Sequence, residues 1–266
     1  MAASSPKDSP SISVERALAV LEAVAQRAEG MSNSDISHRL KIPKSSASYI
    51  LRVLERGGYL RRGKDDGRYH IGLAVVSLSH RALATLDIRE IALPVLRQLV
   101  EGSGFTAHCA ILDNGRAVYV EKVEAPGFVK MDTWLGRRMD VHSTSVGKAL
   151  VAHLPDAEIQ ALVAERNLNR YTPQTIITLP KLLRELEKVR EQGYAVDDEE
   201  NNLGVRCVAA PVFNREGRVE ASVAVSGIIS QLDRAAVPRI AELVKAAARK
   251  LSHQLGYAPP RRTMTA

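Results

Sequence analysis

Between Pro43 and Arg56, Ser45, Ser48, Tyr49, Arg52 and Arg56 fall on one side of a helix and Ala47, Ile50, Leu51 and Leu54 on the other, when positions advance by about 100° per residue. The first set is short-chained or basic. Lys44, Ser45 and Ser46 add an ammonium, two hydroxyls and free backbone amides at the helix start. These groups meet phosphates and base edges when a helix lies in a major groove. A hairpin follows in which Arg61, Arg62, Lys64 and Arg68 surround Asp66-Gly67, a pair that tolerates the positive φ of a tight turn. On this reading Ser45, Ser48, Tyr49 and Arg52 probe bases, while Lys44, Arg61, Arg62, Lys64 and Arg68 hold phosphates. The bland alternative is the solvated face of a three-helix bundle. A capped short helix, a tight turn, a proline-led helix and a basic hairpin in succession favour DNA.

Charge points the same way. The chain of 266 residues holds 37 Lys and Arg against 30 Asp and Glu, and residues 1–86 hold 13 basic and 8 acidic side chains. A local basic excess suits a polyanion, because each neutralised phosphate releases counterions. Eleven Phe, Tyr and Trp residues are too few for the stacking platforms of single-strand binders. Cys109 and Cys207 are too few for a disulfide framework or a four-thiolate metal site, which predicts a reducing compartment and no metal. No apolar run is long enough to span a bilayer and Met1 to Pro10 lacks a signal-peptide core, so a cytoplasmic location with no membrane partner is expected.

The elements that must position these groups are legible from periodicity. Residues 1–12 and 259–266 are expected to be disordered tails. Ser13 is expected to cap a first helix, and Ser32 with Asp35 forms a capping-box pair for a second. Pro43 opens the third helix and Gly57-Gly58 ends it. Tyr59 to Arg62 and Arg68 to Ile71 read as a basic wing, closing a DNA-binding domain over residues 13–71. Residues 72–87 form a linker helix with two adjoining apolar seams, the mark of a helix covered by another chain or domain. Residues 88–258 alternate helices and strands. Strands are expected at Ala107 to Leu112, Ala117 to Val123, Phe128 to Trp134, Tyr194 to Val196, Arg206 to Phe213 and Val219 to Ile228, with hairpin turns at Asp113-Asn114-Gly115 and Asn214 to Gly217. Such turns make the sheet largely antiparallel and the domain α+β.

Enzyme-like signals fail on their own terms. His142, Ser143 and Ser145 are neighbours in sequence, which is not triad geometry, and no Gly-x-Ser-x-Gly elbow exists. Gly147-Lys148 lacks the upstream glycine and downstream hydroxyl of a phosphate loop. Gly102-Ser103-Gly104 leaves a helix and enters a strand, the reverse of the dinucleotide-binding order. Asp197 to Glu200 cannot all face one cation; a solvated segment with Asp197 alone turned inward is expected.

From Ser11 to Gly256 the sequence resembles the IclR-type bacterial transcription regulators. Ser13-Val14-Glu15-Arg16-Ala17-Leu18-Ala19-Val20-Leu21 is similar to the family's opening helix, Ile42-Pro43-Lys44-Ser45-Ser46-Ala47 to the start of its recognition helix, and Tyr69-His70-Ile71-Gly72 to its wing exit. His142 to Leu150 and Gly193 to Val212 are similar to its effector-domain signatures. The resemblance implies a mainly α winged helix-turn-helix joined by a dimerising linker helix to an α+β, GAF-like effector domain. It also implies an effector pocket at Phe128, Met131, Met139, Ser145, Val146, Asp197, Cys207, Ala224 and Ser226. Those residue types suit a small organic or aromatic acid, with hydroxyls and amides for the anion and apolar side chains for a wall; Arg137, Arg138 and Arg206 are candidate charge partners. The same residues also fit plain core packing. The family often carries Arg where Tyr49 stands, so its operator sequences do not transfer.

The expected function is that of a sequence-specific regulator, a repressor by preference, that binds double-stranded operator DNA as a homodimer or homotetramer and answers to a small effector, with no cofactor and no catalysis. The rival is an enzyme of small acids whose N-terminal bundle binds a protein partner.

Overall fold

The computed structural model describes residues 10–63, 65–84, 87–127 and 130–258. They fall into two compact units that divide between residues 85 and 86. Residues 1–9 and 259–266, most of the two expected tails, lie outside the described residues.

In the N-terminal unit, α1 (Pro10–Ala25), α2 (Asn33–Leu40) and α3 (Lys44–Arg56) precede a hairpin of β1 (Leu60–Arg62) and β2 (Tyr69–Ile71), and α4 (Leu73–Ala84) follows. The first helix starts at Pro10, ahead of the expected cap at Ser13, because a proline without N–H fits a first helical position. The capping box at α2 forms as its spacing predicts: the Ser32 side chain accepts from the Asp35 N–H and Asp35 reaches back to the Ser32 N–H at 3.0 Å. Pro43 caps α3. One core holds the unit together, with Val20 and Val24 of α1, Ile36 of α2, Ala47, Ile50, Leu51 and Leu54 of α3, and Leu60 and Tyr69 of the wing.

The C-terminal unit is a six-stranded, wholly antiparallel sheet between two layers of helices. Its elements in chain order are α5 (Asp87–Ser103), β3 (Thr106–Asp113), β4 (Arg116–Val123), β5 (Arg138–Asp140), α6 (Ser145–Val151), α7 (Asp156–Arg166), α8 (Leu179–Gln192), β6 (Ala195–Asp198), β7 (Val205–Phe213), β8 (Val219–Ile228) and α9 (Val237–Gln254). The strand order is β5-β4-β3-β8-β7-β6. Asn114 and Gly115, with φ of 48° and 70°, make the tight β3–β4 turn. Helices α5 and α9 cover one sheet face through Val95, Leu96, Leu99, Ile240, Val244 and Leu251. Helices α6 and α8 cover the other through Val146, Leu150, Leu182, Leu186 and Val189.

Two expectations change here. Residues 130–134 form no strand, and the edge strand is Arg138–Asp140. The carbonyls of Met131 and Thr133 are taken instead by the Lys122 ammonium, at 3.1 and 2.8 Å, so no ladder forms. Helix α7 was not legible in the periodicity, since it buries only Ile159.

Candidate DNA-binding face and ligand cavity

Helix α3 packs Ala47, Ile50, Leu51 and Leu54 inward, which leaves Lys44, Ser45, Tyr49, Arg52 and Arg56 exposed. Tyr49 is 65% exposed. The side chains of Lys44, Ser45 and Arg61 have no hydrogen-bond or ion-pair partner among the described residues, so their donors are available to phosphate or base. Arg52 makes one long contact, Nε to the Ser48 carbonyl at 3.4 Å. Most other expected contacts are committed within the unit. Ser48 is half-buried and its hydroxyl accepts from Asn33 Nδ2 at 2.6 Å, which turns it toward α2. Ser46 is half-buried and, with Ser45 and Tyr49, lines a groove against Val14 and Leu18 of α1, its side chain making no hydrogen bond among the described residues. Arg62 donates to the Gly67 carbonyl at 3.0 Å and lies over the Tyr69 ring, and Arg68 donates to the Gly30 carbonyl at 3.2 Å. These bonds brace the wing. Lys64 lies outside the described residues. Asn33, which sets the position of Ser48, was not singled out from the sequence; its place in the first turn of α2, facing α3, was the available signal.

In the C-terminal unit a cavity of about 310 Å³ is lined by Met131, Met139, Ser145, Val146, Asp197, Cys207, Ala224 and Ser226. Eight of the nine residues expected there thus meet in one place; Phe128 lies outside the described residues. Register explains the convergence. Asp197 stands opposite Cys207 and Cys207 opposite Ser226, so one row across three strands faces the cavity. At Gly147, behind this wall, a Cβ would sit 2.4 Å from Val141 Cα, so only glycine lets α6 approach so closely. Tyr119, Lys130, Asp132, Thr133, Arg137, Thr144, Asn201, Asn202, Val205 and Ile228 complete the lining. Sequence reading missed most of these; Lys130, Asp132, Thr133, Thr144, Asn201 and Asn202 come from connecting segments that have no periodicity.

The electrostatics of the cavity are set by burial. Asp197 is pushed up to about 7, first by desolvation and then by the neighbouring Glu200 carboxylate, although its Oδ1 accepts the Glu200 N–H at 2.8 Å. His108, on the same sheet face, is held down to about 3 by burial and the charge of Lys122; its neutral ring bonds Thr133 Oγ1 at 2.8 Å. Of the three candidate charge partners, only Arg137 lines the cavity, stacked on Trp134 at 4.6 Å. Arg138 is paired with Asp113, and Arg206 lies on the opposite face, where its Nε donates to Asp198 at 2.9 Å.

The acidic run also departs from expectation. Glu200 is buried as well as Asp197, while Asp198 holds Arg206 and Arg234. The cause is Lys148, 0% exposed, whose ammonium contacts Glu200 and lies 3.4 Å from Glu185. A buried ammonium needs carboxylate partners, and that draws Glu200 inward. His142 is structural, bonded to the Asn169 carbonyl at 2.9 Å and stacked on Tyr171.

A proline-capped recognition helix beside a basic wing, with a separate ligand-sized cavity domain, defines a DNA-binding transcriptional regulator. Residues 13–64 match the IclR helix-turn-helix domain family and residues 80–253 the bacterial transcriptional regulator IclR C-terminal family. The chain belongs to the IclR family. It is 38% identical to the HTH-type transcriptional regulator XynR of Escherichia coli K12, covering 92% of this chain and 97% of that one. The HTH-type transcriptional repressor AllR of Salmonella typhi is 34% identical, over 93% and 91% of the two chains. Among solved structures, the IclR of Thermotoga maritima is 32% identical with a TM-score of 0.76, over 92% and 98%. The relatives make this chain a transcriptional regulator and not an enzyme. Among the described residues, no helix is long and apolar enough to cross a membrane.

Proposed function

We propose that the chain is a homodimeric repressor that reads adjacent half-sites with Lys44, Ser45, Tyr49 and Arg52, steadies them through Arg61 and its wing neighbours Arg62, Lys64 and Arg68, and releases or tightens its hold when a small organic or aromatic acid enters the Asp197 cavity. The domains are 13–71 for DNA, 72–87 for the linker and dimer contact, and 88–258 for the effector. The observation that carries this reading is the contrast on α3 and the wing between donors already bonded and a central set left without partners. Exposed apolar residues support a second copy: Val14 and Leu18 on α1, and Leu73, Val76 and Leu78 on α4, are all more than half exposed. The cavity volume suits a small acid. Ser145 and Ser226 offer hydroxyls, Arg137 a charge, and Met131 and Met139 an apolar wall. A ligand there moves the operator equilibrium only by its preference for one arrangement over the other.

Filter binding of genomic fragments at two salt concentrations tests the DNA reading. Site-selective retention that weakens with salt supports it; no selectivity at either salt rejects it. Ser226→Trp then tests the cavity: effector response is lost while ligand-free operator binding stays. Loss of both would make these residues packing only.

A further inference from the structure

The sheet of the C-terminal unit carries a notch that the Asp197 cavity does not use. Strand β6 pairs with β7 only over Arg206 to Ala209, so the outer edge of β7 from Ala210 to Phe213 carries no strand. Such an edge ordinarily invites another strand. Here it cannot, because Pro211 has no N–H and the Phe213 N–H is taken by Ser252 Oγ at 2.9 Å. What remains is a cavity of about 450 Å³ against that edge, bounded by the ends of α6 and α8 and by α9, and it shares no lining residue with the Asp197 cavity.

Its walls are of two kinds. The Phe213 and Tyr257 rings stack at 5.1 Å and 26°, and the His153 ring meets Phe213 edge-on at 5.0 Å. Burial, and then the charge of Arg190, hold His153 below the usual imidazole range, so at neutral pH its ring extends the aromatic wall without adding charge. The other wall is cationic. Arg190, Lys245 and Arg249 line the cavity, and among the described residues no Asp or Glu does. Arg190 spends one nitrogen on the Ala152 carbonyl at 2.8 Å, and Lys245 is paired with Glu242 at 2.7 Å. Arg249 makes no hydrogen bond or ion pair among the described residues; its charge acts on Glu242 only at longer range.

A neutral apolar guest would ignore the cations, and a compact inorganic anion would leave the stacked rings uncovered. A planar ring bearing a carboxylate meets both walls, by stacking and by charge-assisted hydrogen bonds. We infer that this notch is a second ligand site, specific for a small aromatic carboxylate and independent of the Asp197 cavity.

Calorimetric titration of the full chain with naphthalene-2-carboxylate tests the inference, in a Ser226→Trp background that fills the Asp197 cavity. One site per chain is expected to remain. Adding Arg249→Glu or Phe213→Leu should weaken it by about tenfold or more, and the uncharged naphthalene-2-carboxamide should bind more weakly by a similar factor. Arg249 is exposed, so its variant should fold, and an unchanged melting curve checks this. Three results would overturn the inference: no uptake in the Ser226→Trp chain, uptake that both notch variants leave unchanged, or equal binding of acid and amide. Sedimentation of the Arg249→Glu chain adds a fourth. If that variant separates copies of the chain and naphthoate uptake is unaffected, the notch is a subunit contact.

Discussion

The exposed face of α3 and the Asp197 cavity are built by opposite rules. On α3 the useful groups are those the fold has left alone: Lys44, Ser45 and Tyr49 are exposed. In the cavity the useful groups are buried and already engaged, with Asp197 bonded to backbone amides and Thr133 to His108 behind it. The first set is solvated, so its worth in any contact depends on salt and on the partner's charge. The second set sits in low dielectric, where a charge is tolerated only with a partner and a proton becomes the cheaper alternative. One chain therefore carries a screened recognition surface and an unscreened one.

The largest expected effect lies at the base of the cavity. Lys148→Ala leaves Glu200 and Glu185 facing each other without the buried ammonium and should cost about 3–5 kcal/mol of stability. Urea unfolding followed separately in the two units should show the loss in residues 86–266; a loss of under about 1 kcal/mol would mean the pair is solvated. Next is Arg52→Ala, expected to weaken operator binding by about 1–3 kcal/mol and to relax preference at one base pair. Competition with operator variants measures it, and an unchanged preference would remove Arg52 from base reading.

Asp197 sharpens the contrast through pH. A carboxyl titrating at about 7 is mostly neutral at pH 6 and mostly ionised at pH 8. An anionic effector beside it should lose affinity as pH rises through 7, by about tenfold across that interval, and Asp197→Asn should flatten the profile. Binding that strengthens with pH would contradict the direction. The smallest effect separates two adjacent arginines. Arg61→Ala should lower the salt slope of operator binding by about one contact. Arg62→Ala, whose guanidinium already serves Gly67 and Tyr69, should change it less.

The same contrast governs what could be read from the sequence. The α3 face follows from helical period alone, so apart from Ser48 its exposed and buried sets come out as expected, and the Ser32–Asp35 box is a local signal. Ser48 escaped because its partner Asn33 lies on another helix, outside any periodic pattern. The cavity needs strands far apart in sequence to come into register, and spacing does not encode that. Its residues were reached through family resemblance, while Thr133, Asn201 and Asn202, on connecting segments, were not. The buried Glu200 was unreadable for a sharper reason. Four acids in a row look solvated unless the lysine that draws one inward, 52 positions away in Lys148, is known to be buried.

The clamp by which Lys122 grips the carbonyls of Met131 and Thr133 has a consequence for how the regulator behaves as its medium changes. Its side chain is mostly shielded from solvent and, besides an ion pair with Glu124 at 3.0 Å, it grips two neutral oxygens, so ions in the medium have little purchase on those two bonds, which hold the segment bordering the cavity. An osmotic upshift should thus loosen the chain's grip on its operator and leave its sensitivity to the metabolite where it was, two settings turned by different hands.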